Sequence, residues 1–133
     1  MIVEIARNVL GFRDADHAES NPDAARAVVT PLVCSLAGQT ETVQILPDTR
    51  AARLYGTREA HEKYYCNYGL NPEYRAAIER AGLRTSGVGA NGEVRIAELV
   101  GHPFFIATLF LPQMSPQPHP LLNGFAAAMG SAK

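Results

Sequence analysis

The chain has no tryptophan and only two cysteines, Cys34 and Cys66, in 133 residues. Two thiols cannot build a disulfide scaffold, so the fold has to rest on an apolar core. Charge of one sign is equally scarce. Lys and Arg number 12 against 13 Asp and Glu, and the formal net charge of -1 gives no electrostatic footing for nucleic acid or an anionic membrane as partner. No apolar run approaches the ~20 residues of a membrane span. The start, Met1-Ile2-Val3-Glu4-Ile5-Ala6-Arg7, has a glutamate inside its apolar portion and no small-residue cleavage site, so it does not read as a secretion signal. A cytoplasmic protein is the expectation. The histidines stand at no helical metal spacing and no Cys-x-x-Cys occurs, so neither a metal nor another cofactor is expected.

What is present is apolar content, 47% of the residues, which supports one domain over 1–133 with a real core. Its strongest element is Phe104 to Phe110, where Thr108 is the only polar residue between Pro103 and Pro112. That pattern predicts a strand covered on both faces and flanked on both edges, with Leu111-Pro112-Gln113 at the corner where ligands bind in open α/β sheets.

Along the chain, Ile2, Ile5, Ala6 and Val9 predict a helix ended by Gly11. Arg13 to Asp23 is rich in carboxylates but lacks the glycine and terminal glutamate of a calcium loop, and is expected to be a solvated loop. Val28-Val29 and Leu32-Val33-Cys34, interrupted by Pro31, predict an irregular buried crossing. Thr40 to Leu46 alternates as a half-buried strand with Val43 and Ile45 on one side, and Ala51 to Tyr55 forms a helical turn closed by Gly56. Glu59 to Leu70, with three of the chain's five tyrosines, suits a strand. Its alternation would put Tyr64, Cys66 and Tyr68 on one face and Tyr65 and Asn67 on the other.

Asn71-Pro72-Glu73 reads as a helix cap, the helix running to Ala81 and ending at Gly82. Leu83 to Gly87 and Glu93 to Leu99 form a hairpin across Asn91-Gly92, a turn signal that demands positive φ. No lysine and no helix follow these glycines, so they are not a phosphate loop. After the proline-stiffened Ser115 to Pro120, Leu121, Leu122, Phe125, Ala126 and Met129 predict a terminal amphipathic helix. His102 is expected to shape the strand entry and His119 its own loop, with His17 and His61 on the surface.

The order of a strand ending in Tyr68, then Leu70-Asn71-Pro72-Glu73-Tyr74-Arg75, Ala81-Gly82-Leu83-Arg84, a hairpin, Gly101-His102-Pro103-Phe104-Phe105 and Pro118-His119-Pro120-Leu121-Leu122-Asn123-Gly124-Phe125 resembles the closing half of the CTP synthase glutaminase domain. Ile5-Ala6-Arg7-Asn8-Val9 is similar to the helix that follows the nucleophile in those enzymes. The resemblance implies the C-terminal portion of a flavodoxin-like class I glutamine amidotransferase domain, a mixed sheet with flanking helices, and a link to pyrimidine nucleotide biosynthesis. It places the nucleophile elbow just before Met1, so the chain reads as an N-terminally truncated domain. Class I glutaminases pair a cysteine nucleophile with a His-Pro-Glu element in which histidine takes the thiol proton and glutamate orients the ring. The corresponding residues here are Leu111, Pro112 and Gln113, and neither Leu111 nor Gln113 can take its predecessor's role. The family's substrate-holding arginine and tyrosine correspond to Asn67 and Tyr68, of which only the tyrosine is retained.

Two readings follow. One is a degenerate relative with thiol chemistry at Cys66, Lys63 and His61 standing near it in sequence as cations that would lower its pKa, and with Cys34, set in an apolar stretch, as a candidate second thiol. The other is a binding or regulatory module that keeps a pocket for a small amino-acid-like ligand. Self-association or a protein partner covering the truncated sheet is expected in either case.

Overall fold

Eight strands and four α-helices alternate along residues 1–131, which are the residues that the computed structural model describes. In order they are α1 (Ile2–Asn8), β1 (Ala15–His17), β2 (Arg26–Pro31), β3 (Thr40–Ile45), α2 (Arg50–Tyr55), β4 (Glu59–Lys63), β5 (Tyr68–Leu70), α3 (Arg75–Arg80), β6 (Leu83–Val88), β7 (Val94–Leu99), β8 (Ile106–Thr108) and α4 (Pro120–Gly130). Short 3-10 turns at Pro72–Tyr74 and Pro112–Met114 precede α3 and α4. The strands form a mixed sheet in the order β1-β2-β5 and an antiparallel sheet in the order β4-β3-β6-β7-β8.

Two apolar clusters hold these layers. Val43 and Ile45 point inward from β3, as their alternation requires, and meet Tyr64, Ile96, Phe110 and Leu121. The other joins Ala6 of α1 and Ile78 of α3 to Val28, Val29 and Leu83. Local signals were realised where they were self-contained. Thr49 caps α2 by accepting from Ala52 N–H at 3.0 Å, and Gly56 closes that helix at φ 67°. Glu98, buried on β7, accepts from the N–H groups of Arg50 and Ala51 at 3.0 and 3.3 Å, so its carboxylate and the orphan donors of the helix start satisfy each other. Asn71 caps the turn before α3 by accepting from Glu73 N–H at 3.1 Å.

Other expectations are corrected. The Phe104–Phe110 run is not a central strand. Only Ile106–Thr108 pairs, on β7 alone, and β8 is the edge of its sheet among the described residues. The run is apolar because its side chains divide between both clusters, Phe105 going to one and Ile106, Leu109 and Phe110 to the other. Glu59–Leu70 is not one strand either. β4 and β5 belong to different sheets, and between them Tyr64 is drawn into the core while its backbone bonds Gly38 and Gln39 at 2.8 and 2.9 Å.

The acidic stretch contains β1, fixed by Arg7, which donates to the Ala15 carbonyl at 2.7 Å and pairs with Asp16 at 3.4 Å. Val28-Val29 lies in the middle strand of the smaller sheet, with Pro31 at the strand end where a missing donor costs least. At the hairpin only Gly92 has positive φ, 83°, because Gly89 N–H bonds Glu93 O at 2.8 Å and Gly92 N–H bonds Gly89 O at 3.0 Å. This is a three-residue loop closed by a left-handed glycine. The α4 face is also only partly inward. Leu121 is buried, but Leu122, Phe125 and Met129 are 41%, 48% and 57% exposed. His102 does shape the strand entry, its Nδ1 accepting from Phe104 N–H at 3.1 Å.

Candidate functional site

The crossing Tyr65 to Asn67, the end of β1, and strands β2 and β5 enclose a cleft of about 340 Å³ whose polar lining is His17, Glu19, Cys66, Asn67 and Tyr68. Its apolar floor is Ile2, Val29, Leu70 and Leu109. The cleft exists because β2 binds β1 in parallel and β5 in antiparallel fashion, which sets His17 and Tyr68 side by side with ring centroids 5.1 Å apart. His17 Nδ1 accepts from Glu19 N–H at 3.1 Å and so carries no proton there. The Glu19 side chain is exposed and makes no hydrogen bond among the described residues, leaving a free carboxylate at the rim. Beneath it, the His17 backbone N–H and the Asn21 side chain hold the Asp16 carboxyl below the usual carboxylate range.

Cys66, Asn67 and Tyr68 are thus brought together. Their disposition differs from strand alternation, since Tyr65, Cys66, Asn67 and Tyr68 all border the cleft while Tyr64 turns into the core. The Cys66 thiol donates to the Tyr68 carbonyl at 3.0 Å. Neither expected cation serves it. Lys63 Nζ lies over the Tyr65 ring at 5.5 Å, and His61 bonds Thr42 at 3.1 Å. Cys34 is exposed rather than in an apolar setting, and it borders a different cavity from Cys66. Asn67 Oδ1 is engaged by the Ser35 hydroxyl.

Leu111 caps the turn after β8, and its N–H donates to Lys63 O at 3.1 Å. Gln113 is exposed. None of Leu111, Pro112 and Gln113 lines the cleft; Leu109, two residues before the corner, does.

Beside the corner lies a buried polar group that sequence reading did not assemble. Glu62 on β4 and His119 at the N-cap of α4 are 3% and 2% exposed, with His119 Nε2 2.9 Å from Glu62 Oε1. Tyr55 OH donates to the same oxygen at 2.6 Å and Ser115 Oγ to Oε2 at 2.6 Å. His119 Nδ1 accepts from Leu121 N–H at 3.2 Å, which assigns the proton to Nε2 and leaves the ring no free nitrogen. The group therefore ties α2, β4, the Pro112–Met114 turn and α4 together and cannot act as a general base.

Burial first, then the hydrogen bond to Glu62, pushes the Tyr55 phenol far above its ordinary 10.0. Burial also raises that of Tyr64, opposed by Arg95 and reinforced by Glu62. A folded-state pKa raised above the unfolded value contributes stability that is complete below the unfolded value and declines as pH rises past it. Urea unfolding followed upward from about pH 9 should show the midpoint falling. In Tyr55→Phe that fall should be shallower, although the variant is less stable at neutral pH.

Glu19 and His17 are the cleft residues that sequence reading missed as such, because an acidic loop carries no mark of the strand inside it.

No family model matches the chain. A CTP synthase of Rubrobacter xylanophilus is 36% identical over 145 residues, covering 99% of this chain and 26% of that protein. A CTP synthase of Saccharolobus solfataricus is 36% identical over 142 residues, 98% of this chain and 26% of its own length. The chain thus spans about a quarter of the length of the relatives that it matches. Among solved structures, the glutaminase domain of Trypanosoma brucei CTPS with bound acivicin superimposes with a TM-score of 0.91 at 25% identity, over 99% of this chain and 56% of that one.

Proposed function

This chain belongs to the glutamine amidotransferase region of the CTP synthases, and from that premise we propose that it binds a glutamine-like amino acid in the His17–Tyr68 cleft without hydrolysing it. The observation that carries the reading is Leu111-Pro112-Gln113, at the positions to which the family resemblance assigns a proton acceptor and its orienting carboxylate. An aliphatic side chain accepts no proton.

The cleft suits an amino acid's polar end. Glu19 offers a free carboxylate to an ammonium group, and the Tyr68 and Asn67 side chains offer hydrogen bonds to a carboxylate. With asparagine at position 67 instead of arginine, the charge-assisted fork is lost and affinity is modest. The Cys66 thiol is bonded as a donor to a carbonyl, with Lys63 and His61 engaged elsewhere, which favours binding over thiolate chemistry.

Calorimetric titration of the purified chain with L-glutamine tests this. Saturable binding is expected, with Glu19→Gln weakening it by about 10–100-fold, the worth of one hydrogen bond to a charged group. Acivicin should compete for the same cleft. Absence of binding, or equal binding by Glu19→Gln, would remove the proposal.

A protein partner or self-association is part of the same reading. It would use the outer edge of β8 and the adjoining apolar groove of about 300 Å³ between Phe104, Leu122 and Phe125. Sedimentation velocity should then show a species heavier than 14.4 kDa. Among the described residues no helix is long and apolar enough to cross a membrane. Two free thiols suit the reducing cytoplasm, where we place the chain.

A further inference from the structure

Arg95, on β7, is 7% exposed, yet its Nε and Nη1 have no acceptor among the described residues. Its nearest carboxylate is loose, with Nη2 3.7 Å from Glu93 Oε1. The guanidinium carbon lies 5.3 Å from the Tyr64 ring centroid, and the Tyr64 hydroxyl is likewise buried without a partner. A buried guanidinium with unused donors is costly unless something accepts from it.

The space for such an acceptor is next to it. Arg95 borders a cavity of about 170 Å³, separate from the glutamine cleft, shared with Cys34, Leu36, Glu41, Gly89 and Asn91. Gly89 lets the guanidinium pack directly against the hairpin backbone, because a Cβ there would stand 2.7 Å from Arg95 Nε, 3.0 Å from Nη2 and 2.7 Å from Glu93 Oε2. One cation with unused donors therefore sits beside two carboxylates, Glu93 and Glu41, at one cavity. A free dianion would be repelled by those carboxylates, and a simple cation would leave the Arg95 donors without an acceptor. A ligand with both signs meets each group with its opposite.

The geometry points to a second binding site, for a small α-amino acid zwitterion whose carboxylate accepts from Arg95 and whose ammonium faces Glu93. This site does not depend on the glutamine cleft, and glycine, the smallest zwitterion, is the probe. Differential scanning fluorimetry of the full chain should show the melting temperature rising saturably with glycine. Acetate or ethylamine at matched ionic strength should give a smaller rise. Arg95→Met should abolish the response while being at least as stable as the parent without ligand, since an unpaired buried charge has gone. Gly89→Ala keeps the charge, pushes the guanidinium and the Glu93 carboxylate out of place, and should weaken glycine binding by about 10–100-fold. Glu19→Gln should leave the glycine response intact. No response in the parent chain, an undiminished response in Arg95→Met, or a response lost in Glu19→Gln and kept in Arg95→Met would each overturn the assignment.

Discussion

Glu62→Ala should lower the unfolding free energy by about 3–5 kcal/mol, because each buried donor left without an acceptor costs about 1–3 kcal/mol. Three donors would lose their acceptor together, Tyr55 OH, Ser115 Oγ and His119 Nε2, and all three are at least half buried. In thermal unfolding the loss corresponds to roughly 10–20 °C for a chain of this size. Glu62→Gln keeps an oxygen toward His119 and Tyr55 and an amide toward Ser115, so it should lose much less. A double-mutant cycle of Glu62→Ala with His119→Ala should be strongly non-additive, because one deletion already breaks the shared bond. Full additivity would show that the two side chains stabilise the fold separately.

Phe110→Ala is the other large loss, again about 3–5 kcal/mol, from the removed apolar surface and from the cavity left behind. Phe110 is 1% exposed. Its ring stands edge-on to Tyr64 with centroids 5.8 Å apart and lies 6.3 Å from the His119 ring. It is the last residue before Leu111, so its packing seats the Leu111–Gln113 corner. Urea denaturation should report the change in midpoint, and Phe110→Leu should recover most of the loss.

The contrast between these two residues and the sequence reading is instructive. Phe110 was legible as core from its apolar neighbours, whereas Glu62 looked like one more charge in a mixed segment. Its partner His119 lies 57 residues away, a separation across which periodicity says nothing. The same divide runs through the fold. α1, the Asn71 cap and the Gly56 stop depend on residues within one or two turns, and they were readable. The edge position of β8, the break between β4 and β5 and the three-residue β1 depend on which distant backbone supplies hydrogen bonds. A continuous apolar run does not distinguish a strand paired on both edges from an edge strand feeding two clusters.

For the cleft, Cys66, Asn67 and Tyr68 came from a family resemblance rather than from chemistry visible in their spacing. Glu19 was hidden in a stretch whose carboxylates suggested solvent. The hairpin was found through Asn91-Gly92, but the residue type that decided its geometry was glycine alone. Arg95 carried no signal, because an arginine in an alternating strand normally reads as a solvated position.

The central claim is occupancy of the cleft without chemistry. Its most direct test is ammonia release from saturating L-glutamine, read by a coupled glutamate dehydrogenase assay at protein concentrations high enough to register a single turnover. The account predicts no ammonia above the protein-free blank under conditions where calorimetry reports the cleft filled. A stoichiometric burst or steady release, abolished by substitution of Cys66 or Glu19, would contradict it.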